Sequence, residues 1–292
     1  SRLQMEGEVC EDPHVERMIE SFSFLTARIH KKLDDEFPQI TEAMLSVLYP
    51  HFLRPVPSMS VAQLQLAPGT DISEMQELPR HSQLLSRPVQ GMQIRYRTAY
   101  AVDVWPIRIA QAQLEAAERS AFAVTRNDTV ATLRLRIETT GQQPLSQLPI
   151  QRLRLYLEGE SPLVHALHEL LLNSAASITL RAPEGEPQVA PVRLPASALQ
   201  PVGFAEDEAL LDYDPRSFLG YRLLQEYFVL PEKFLFVDLV GLDFSRFKQA
   251  VEIAIEFNSF GRPERLQRLE QTVSADTFRL FCTPVVNLFK QQ

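Results

Sequence analysis

The sequence predicts an α+β protein in which an N-terminal helical hairpin precedes a mainly antiparallel β-rich domain and a mixed α/β domain. Three observations predict this class. Apolar residues recur at steps of three and four between residues 15 and 48, which is the spacing of one helix face. They then alternate with polar residues in several segments between 62 and 157, which is typical of half-buried strands. Beyond residue 204 both patterns occur in turn.

The N-terminal residues predict two helices. Asp12 suits a helix N-cap and Pro13 suits the first helical position. The helix that follows carries a broad apolar stripe made of Val15, Met18, Ile19, Phe22, Leu25, Ile29 and Leu33. The acidic run 34–36 is expected to end this helix, and Pro38 is expected to begin a second one that Pro50 closes. The two would form a helical hairpin over residues 1–50.

Residues 51–182 are predicted to form the β-rich domain. An extended connector leads into it, because prolines occur at positions 50, 55 and 57. The clearest alternating segments are 133–137 and 153–157, where leucine or isoleucine alternates with arginine or tyrosine. Such alternation indicates strands with one polar face, as antiparallel sheets have. A helix is expected over 162–173.

The remaining residues are predicted to form a linker and a third domain. Residues 183–203 contain five prolines, which indicates a linker or a long surface loop. Residues 204–292 form the predicted mixed α/β domain. The elements expected there are a helix over 218–228, strands over 234–240 and 251–257, and a broken helix over 266–281.

Composition and charge narrow the class of partner. The 292 residues carry a formal net charge of −8, so nucleic acid is not an expected partner, since phosphate binding needs clustered Lys and Arg. Cys10 and Cys282 provide neither a disulfide framework nor zinc-ligand spacing, which favours a reducing, cytoplasmic location. The most apolar stretch, 163–180, is interrupted by His165, His168 and further polar residues, so no membrane insertion is expected.

Motifs for catalysis are weak. His168-Glu169 resembles the start of a zinc-protease motif, but position 172 is Leu where that motif needs a second His. The sequence contains no Gly-x-Ser-x-Gly and no glycine-rich phosphate-binding loop. We therefore predict no catalytic residue, no cofactor and no metal site.

Protein binding is the function that the residues themselves favour. The first helix is apolar over a wider arc than a two-helix hairpin can cover, which is usual in a multi-helix bundle. The residues predicted to contact a partner are Val15, Met18, Phe22, Leu25 and Ile29. The alternative is that the β-rich domain covers this surface. Aromatic residues are concentrated over 218–236 and 278–289, where most should lie in the core and a few could anchor an interface.

Specific strings occur along the chain in one order. They are Cys10-Glu-Asp-Pro-His-Val-Glu-Arg-Met-Ile-Glu-Ser-Phe, Lys32-Leu-Asp-Asp-Glu-Phe-Pro, Leu48-Tyr-Pro-His-Phe-Leu-Arg-Pro, Tyr96-Arg-Thr-Ala-Tyr, Gly220-Tyr-Arg-Leu-Leu-Gln-Glu-Tyr-Phe and Phe281-Cys-Thr-Pro-Val-Val-Asn-Leu-Phe. Together they resemble the TssF family (also called VasA or ImpG), the baseplate subunits of type VI secretion systems. His81 departs from the family pattern, which has Gly there. The family also continues well beyond the last string, so the resemblance implies a partial chain.

The resemblance implies a role in assembly. TssF-like proteins pair with TssG, two TssF copies embracing one TssG, to form a baseplate wedge. The wedges bind TssK and TssE and surround the VgrG hub on the cytoplasmic side of the inner membrane. The expected function is therefore that of a structural scaffold and not of an enzyme, with a second copy of the chain among its partners.

Two alternatives from other classes remain open. One is a β-sandwich hydrolase acting on carbohydrate, because the separation of paired carboxylates cannot be read from a sequence. The other is a small carbohydrate- or peptide-binding module, which would bind its ligand without partner proteins.

Overall fold

The computed structural model describes residues 5–6, 9–10, 12–66, 72, 74–117, 128–186, 189–214, 217–259 and 263–289. The described residues fall into two compact units. The first unit comprises those of Ser1–Val56 with Asp214–Ser217, and the second those of Pro57–Tyr213 with Phe218–Gln292.

The first unit consists mainly of one long helix. A short pair of antiparallel strands, β1 (Met5–Glu6) and β2 (Val9–Cys10), precedes α1 (Pro13–Leu48), which is 36 residues long. The carboxylate of Asp12 caps the helix by accepting the His14 N–H at 2.9 Å, as the sequence predicts.

The predicted helical hairpin is wrong, because α1 continues without interruption through Pro38. A proline removes one backbone donor and crowds the preceding turn, but hydrogen bonding can resume on either side of it. The residues that follow, 39–45, are mostly strong helix formers, which favours continuation over a turn. The helix ends where the Tyr49 N–H bonds to the Leu45 carbonyl at 2.7 Å and Pro50 follows.

The second unit is mostly β. Its strands are β3 (Met59–Gln63), β4 (Gln76–Leu78), β5 (Gln83–Leu85), β6 (Arg95–Thr98), β7 (Val102–Val104), β8 (Ile107–Ala116), β9 (Ala131–Thr139), β10 (Arg152–Leu157), β11 (Ala175–Arg181), β12 (Val192–Pro195), β13 (Leu199–Pro201), β14 (Phe236–Val240), β15 (Ala250–Phe257), β16 (Phe278–Leu280) and β17 (Cys282–Val286). Its helices are α2 (Ser161–Asn173), α3 (Leu219–Val229) and α4 (Pro263–Thr272).

These strands form antiparallel sheets. The largest has the order β12-β11-β15-β9-β8. Two four-stranded sheets have the orders β13-β14-β10-β16 and β3-β17-β6-β5, and β4 pairs with β7. Each strand pairing described is antiparallel. The predicted α+β class with mainly antiparallel sheets is therefore confirmed.

Strands from both sides of the predicted proline-rich linker share these sheets. β15 lies between β9 and β11, with Val251 opposite Ile137, and β14 pairs with β10, with Leu239 opposite Leu153. The segment 183–203 contributes β12 and β13 at sheet edges, where proline is tolerated; Pro187 lies outside the described residues. Residues 51–182 and 204–292 are thus joined by long-range pairing that local periodicity does not reveal.

One large hydrophobic core holds these layers together. In β9 the side chains of Leu133, Leu135 and Ile137 are at most 1% exposed, as the alternation predicts. They belong to the same buried cluster as the apolar sides of α2 and α4. The predicted broken helix over 266–281 is wrong beyond Thr272, because β16 and β17 follow α4. Phe278 is instead paired with Leu157 of β10, a partner that is distant in sequence.

Candidate protein-binding surface

Nine apolar residues of α1 lie along one side of the helix. We call this set the α1 seam; its members are Val15, Met18, Phe22, Leu25, Ile29, Leu33, Ile40, Met44 and Val47. Steps of three, four and, from Leu33 to Ile40, seven residues keep them on one side, as in helices that pack along their length against other helices. At 1.5 Å per residue, a helix of 36 residues is about 54 Å long.

Most of the α1 seam faces solvent. Met18, Phe22, Leu25 and Ile29 are 65%, 71%, 56% and 62% exposed. Val15, the fifth residue predicted to contact a partner, is partly buried. The structure therefore places all five predicted residues on one helix face and leaves four of them exposed to solvent.

The C-terminal half of α1 continues the same surface. Leu33, Ile40, Met44 and Val47 are each at least 59% exposed. A shallow apolar groove lies along this half, and its lining residues are Gln39, Ile40, Ala43, Met44, Val47 and Leu48. An exposed apolar surface of this extent is typical of a protein–protein contact, since monomeric proteins rarely leave large contiguous apolar patches in water.

Phe24 lies away from the α1 seam. It follows Phe22 by two positions, which turns it about 200° around the helix axis. Its side chain is 64% exposed, and the Arg28 guanidinium lies 6.0 Å from its ring centroid. Phe22 and Phe24 are thus two similarly exposed phenylalanines on different sides of one helix.

A second exposed apolar surface lies in the second unit, on α3. We call it the α3 aromatic face; it is formed by Phe218, Tyr221, Leu224 and Phe228, which are between 55% and 81% exposed. Its aromatic composition was visible in the sequence, but its outward orientation was not. The sequence pattern indicates the opposite orientation, because Arg222 and Glu226, spaced four apart on the other side of the helix, would ordinarily face solvent and leave the aromatic side buried.

Charged side chains on the large sheet form ion pairs across strands. A polar groove there is lined by Gln111, Gln113, Arg134, Arg136, Pro183, Glu184 and Glu252. Arg134 donates to Glu115 at 2.7 Å, and Arg181 donates to Glu252 at 3.0 Å. Such cross-strand pairs stabilise a sheet face.

His168, considered above as a metal ligand, lies on α2. Burial lowers the pKa of its imidazole, and the neighbouring His165 lowers it further. Within the described ranges, no three or more His, Cys, Asp or Glu side chains are grouped so that they could hold a metal ion. Over the same residues, no helix combines the length and apolar character that crossing a bilayer requires.

A chain that combines a long helix bearing an exposed apolar seam with a β-rich unit that has its own core is typical of a subunit that packs against other proteins. This is the class of protein that the fold and its surfaces indicate.

The chain belongs to the TssF family, because the family model described as "Type VI secretion system, TssF" matches residues 1–292. It is 39% identical over 300 residues to the type VI secretion system component TssF1 of Pseudomonas aeruginosa (strain PAO1), covering 100% of this chain and 47% of the relative. It is also similar to a chain in the cryo-electron microscopy structure of a TssK-TssF-TssG baseplate subcomplex. That match has a TM-score of 0.71 and 30% identity, and covers 94% of this chain and 49% of the other. The chain therefore spans about half the length of these relatives. The family resemblance inferred from the sequence is confirmed.

Proposed function

We propose that this chain acts as a structural scaffold in the baseplate wedge of a type VI secretion system and carries out no catalysis. The observation that supports it most directly is the α1 seam, which a member of the TssF family leaves exposed along the length of a 36-residue helix. Burying such a seam requires other helices, since the apolar side of a single helix remains in contact with water unless another element packs on it.

The partners that we propose follow from the family. The solved relative belongs to a subcomplex with TssK and TssG, which makes these two proteins the first candidates. We place TssG and a second copy of the chain against the α1 seam, with two copies for each TssG. Further contacts with TssE and the VgrG hub, on the cytoplasmic side of the inner membrane, complete the proposed wedge; for these the support is the family resemblance.

Co-expression with TssG tests this proposal. A tag on TssG is used for pull-down, and light scattering gives the mass of the eluted complex. We expect a stable complex with two copies of this chain for each TssG. If the chain stays folded and monomeric in the presence of TssG, the α1 seam does not form the contact with TssG. If the full-length protein does not bind TssG either, the proposed role is overturned.

A matched pair of variants locates the contact. Phe22→Asp places a charge in the α1 seam and should abolish capture by TssG, since losing a hot-spot anchor costs about 2 kcal/mol or more. Phe24→Asp makes the same change on the other side of the helix at similar exposure, and should bind within about threefold of the parent chain, as surface changes away from a contact do.

Circular dichroism of both variants reports whether α1 still folds. If both variants lose binding equally, binding to TssG depends on the folding of α1 and not on the side chains of the α1 seam. If Phe22→Asp unfolds the chain while binding persists, the seam belongs to the internal core of the protein.

A further inference from the structure

The helix α3 is oriented with charged residues inward and aromatic residues outward. Arg222 is 3% exposed and Glu226 is fully buried, whereas Phe218 and Phe228 are 73% and 81% exposed. A surface helix normally shows the opposite arrangement, because burying apolar side chains is favourable and burying charges is costly.

Specific hydrogen bonds hold α3 in this rotation. The Arg222 guanidinium donates to the backbone carbonyls of Phe204, Ala205 and Glu206 at 3.1–3.3 Å. The Glu226 carboxylate accepts the Leu210 N–H at 2.8 Å and pairs with the ammonium of Lys233, which is itself buried. Rotating the helix about its axis would leave the buried Arg222 and Glu226 without their hydrogen-bond partners, which costs free energy. The outward position of the aromatic residues is therefore fixed by the fold.

Exposed aromatic rings on α3 lie in two close pairs. Phe218 and Tyr221 lie with ring centroids 5.7 Å apart, and Tyr227 and Phe228 lie 5.8 Å apart. Gly220 allows Phe218 to fold against the helix, because a Cβ at position 220 would come within 2.3 Å of the Phe218 ring. Exposed aromatic clusters of this kind are enriched where proteins bind each other.

The chain segment that contains α3 carries exposed acidic residues. Among the described residues from 204 to 232, those whose charged side chains face solvent are acidic: Glu206, Asp207, Asp212 and Glu232. Arg222 lies in the same stretch but is buried. Asp212 pairs with Arg97 at 3.6 Å, and the other three acidic side chains are Glu206, Asp207 and Glu232. Exposed carboxylates close to α3 in the chain repel nucleic acid and anionic lipid, and attract a protein surface that carries Lys or Arg beside its apolar residues.

We propose that the α3 aromatic face is a second docking surface, distinct from the α1 seam, and that its occupant is a basic amphipathic helix of a neighbouring subunit in the assembly. The apolar side of that helix would cover Phe218, Tyr221, Leu224 and Phe228. Its Lys and Arg side chains would lie against Glu206 and Asp207. The choice of a subunit of the assembly rests on the proposed function; the surface itself does not.

Hydrogen exchange and substitution test this surface in the full-length protein, free and co-expressed with TssG and TssK. We expect amide exchange over 219–229 to slow in the complex. Phe228→Ser and Leu224→Ser should each weaken binding of a partner by about tenfold or more, as loss of a well-packed anchor does. Met92→Ser is the control, since Met92 is 70% exposed elsewhere in the second unit and its loss should leave binding unchanged.

The charge reversals Glu206→Lys and Asp207→Lys test the basic character of the partner. Made together they should weaken binding, and added salt should weaken binding of the parent protein, because the Debye length falls from about 10 Å at 0.1 M to about 3 Å at 1 M salt. If the reversals instead strengthen binding, the occupant is acidic and the proposal is overturned.

Other outcomes separate the two proposals. A complex that forms while residues 219–229 exchange as fast as in the free protein would overturn the α3 proposal alone. Slow exchange of residues 219–229 already in the dilute free protein would show that another part of the same protein covers the α3 aromatic face. Exchange that slows as the protein concentration rises would indicate that a second copy covers it. Either result overturns the α3 proposal. If no complex forms and the face exchanges freely in every sample, both proposals fail.

Discussion

The substitution Lys233→Met measures what the buried ion pair with Glu226 contributes to the second unit. Both side chains are fully buried. Burial lowers the pKa of the Lys233 ammonium, which the charge of Glu226 opposes. Methionine fills a similar volume without a charge. In the variant the Glu226 carboxylate stays buried, and the donor described for it outside the helix is then the Leu210 N–H. An uncompensated buried charge of this kind costs about 3–5 kcal/mol.

The double variant Lys233→Met with Glu226→Gln separates charge from packing. Glutamine keeps an oxygen that can accept the Leu210 N–H, so no charge and no backbone donor is left without a partner. We expect it to recover most of the loss, leaving a cost of about 1 kcal/mol for the missing hydrogen bond.

Denaturant unfolding followed by tryptophan fluorescence measures both variants. Trp105 is the single tryptophan of the chain and lies in the second unit at 8% exposure, so its signal reports on that unit. A parallel shift of the midpoint with an unchanged slope gives the change in the free energy of unfolding. The reasoning is refuted if Lys233→Met costs less than about 1 kcal/mol, or if the double variant is no more stable than the single one.

Two further changes follow from local geometry. His81 has a φ of 68°, at which a residue with a side chain is strained, and its N–H bonds to the Thr98 carbonyl at 2.9 Å. His81→Gly should therefore raise the free energy of unfolding by about 0.5–1 kcal/mol. The control Ser82→Gly, at the next position, should lower it. Burial lowers the pKa of His168 in the folded state, so below the ordinary histidine pKa the unfolded chain binds more protons and stability should fall as the pH drops from about 7.5 to about 5. In His168→Leu that part of the pH dependence should disappear from the thermal unfolding temperature, and an unchanged pH profile would contradict it.

Local patterns in the sequence were sufficient for much of the fold. The alternation of Leu133, Leu135 and Ile137 with arginine correctly predicted β9, and the helical spacing of residues 15–33 correctly predicted a helix there. Both succeed because the period of the side chains along one element is set by its own backbone geometry. His81 is a related case, since the family resemblance led us to expect Gly at this position, and the backbone there has a positive φ of 68°.

Other features depended on residues far apart in the chain. Whether α1 stops or continues at Pro38 depends on two opposing contributions: the backbone hydrogen bond lost at the proline and the hydrogen bonds formed by the helix on either side of it. The proline alone predicted a break, but α1 continues. The place of β15 between β9 and β11 depends on which strands meet in three dimensions, for which period-two alternation carries no information.

The sequence by itself therefore determined the class of the fold, the apolar helical stripe over residues 15–33 and the family. Only the tertiary structure decided the rotation of α3. Its sequence shows aromatic residues on one side and Arg222 with Glu226 on the other, and ordinary amphipathicity would bury the aromatic side. The buried partners of the charged side, Lys233, the Leu210 N–H and the carbonyls of residues 204–206, come from segments outside α3. Because their hydrogen bonds compensate the buried charges, the helix turns its aromatic side to the solvent.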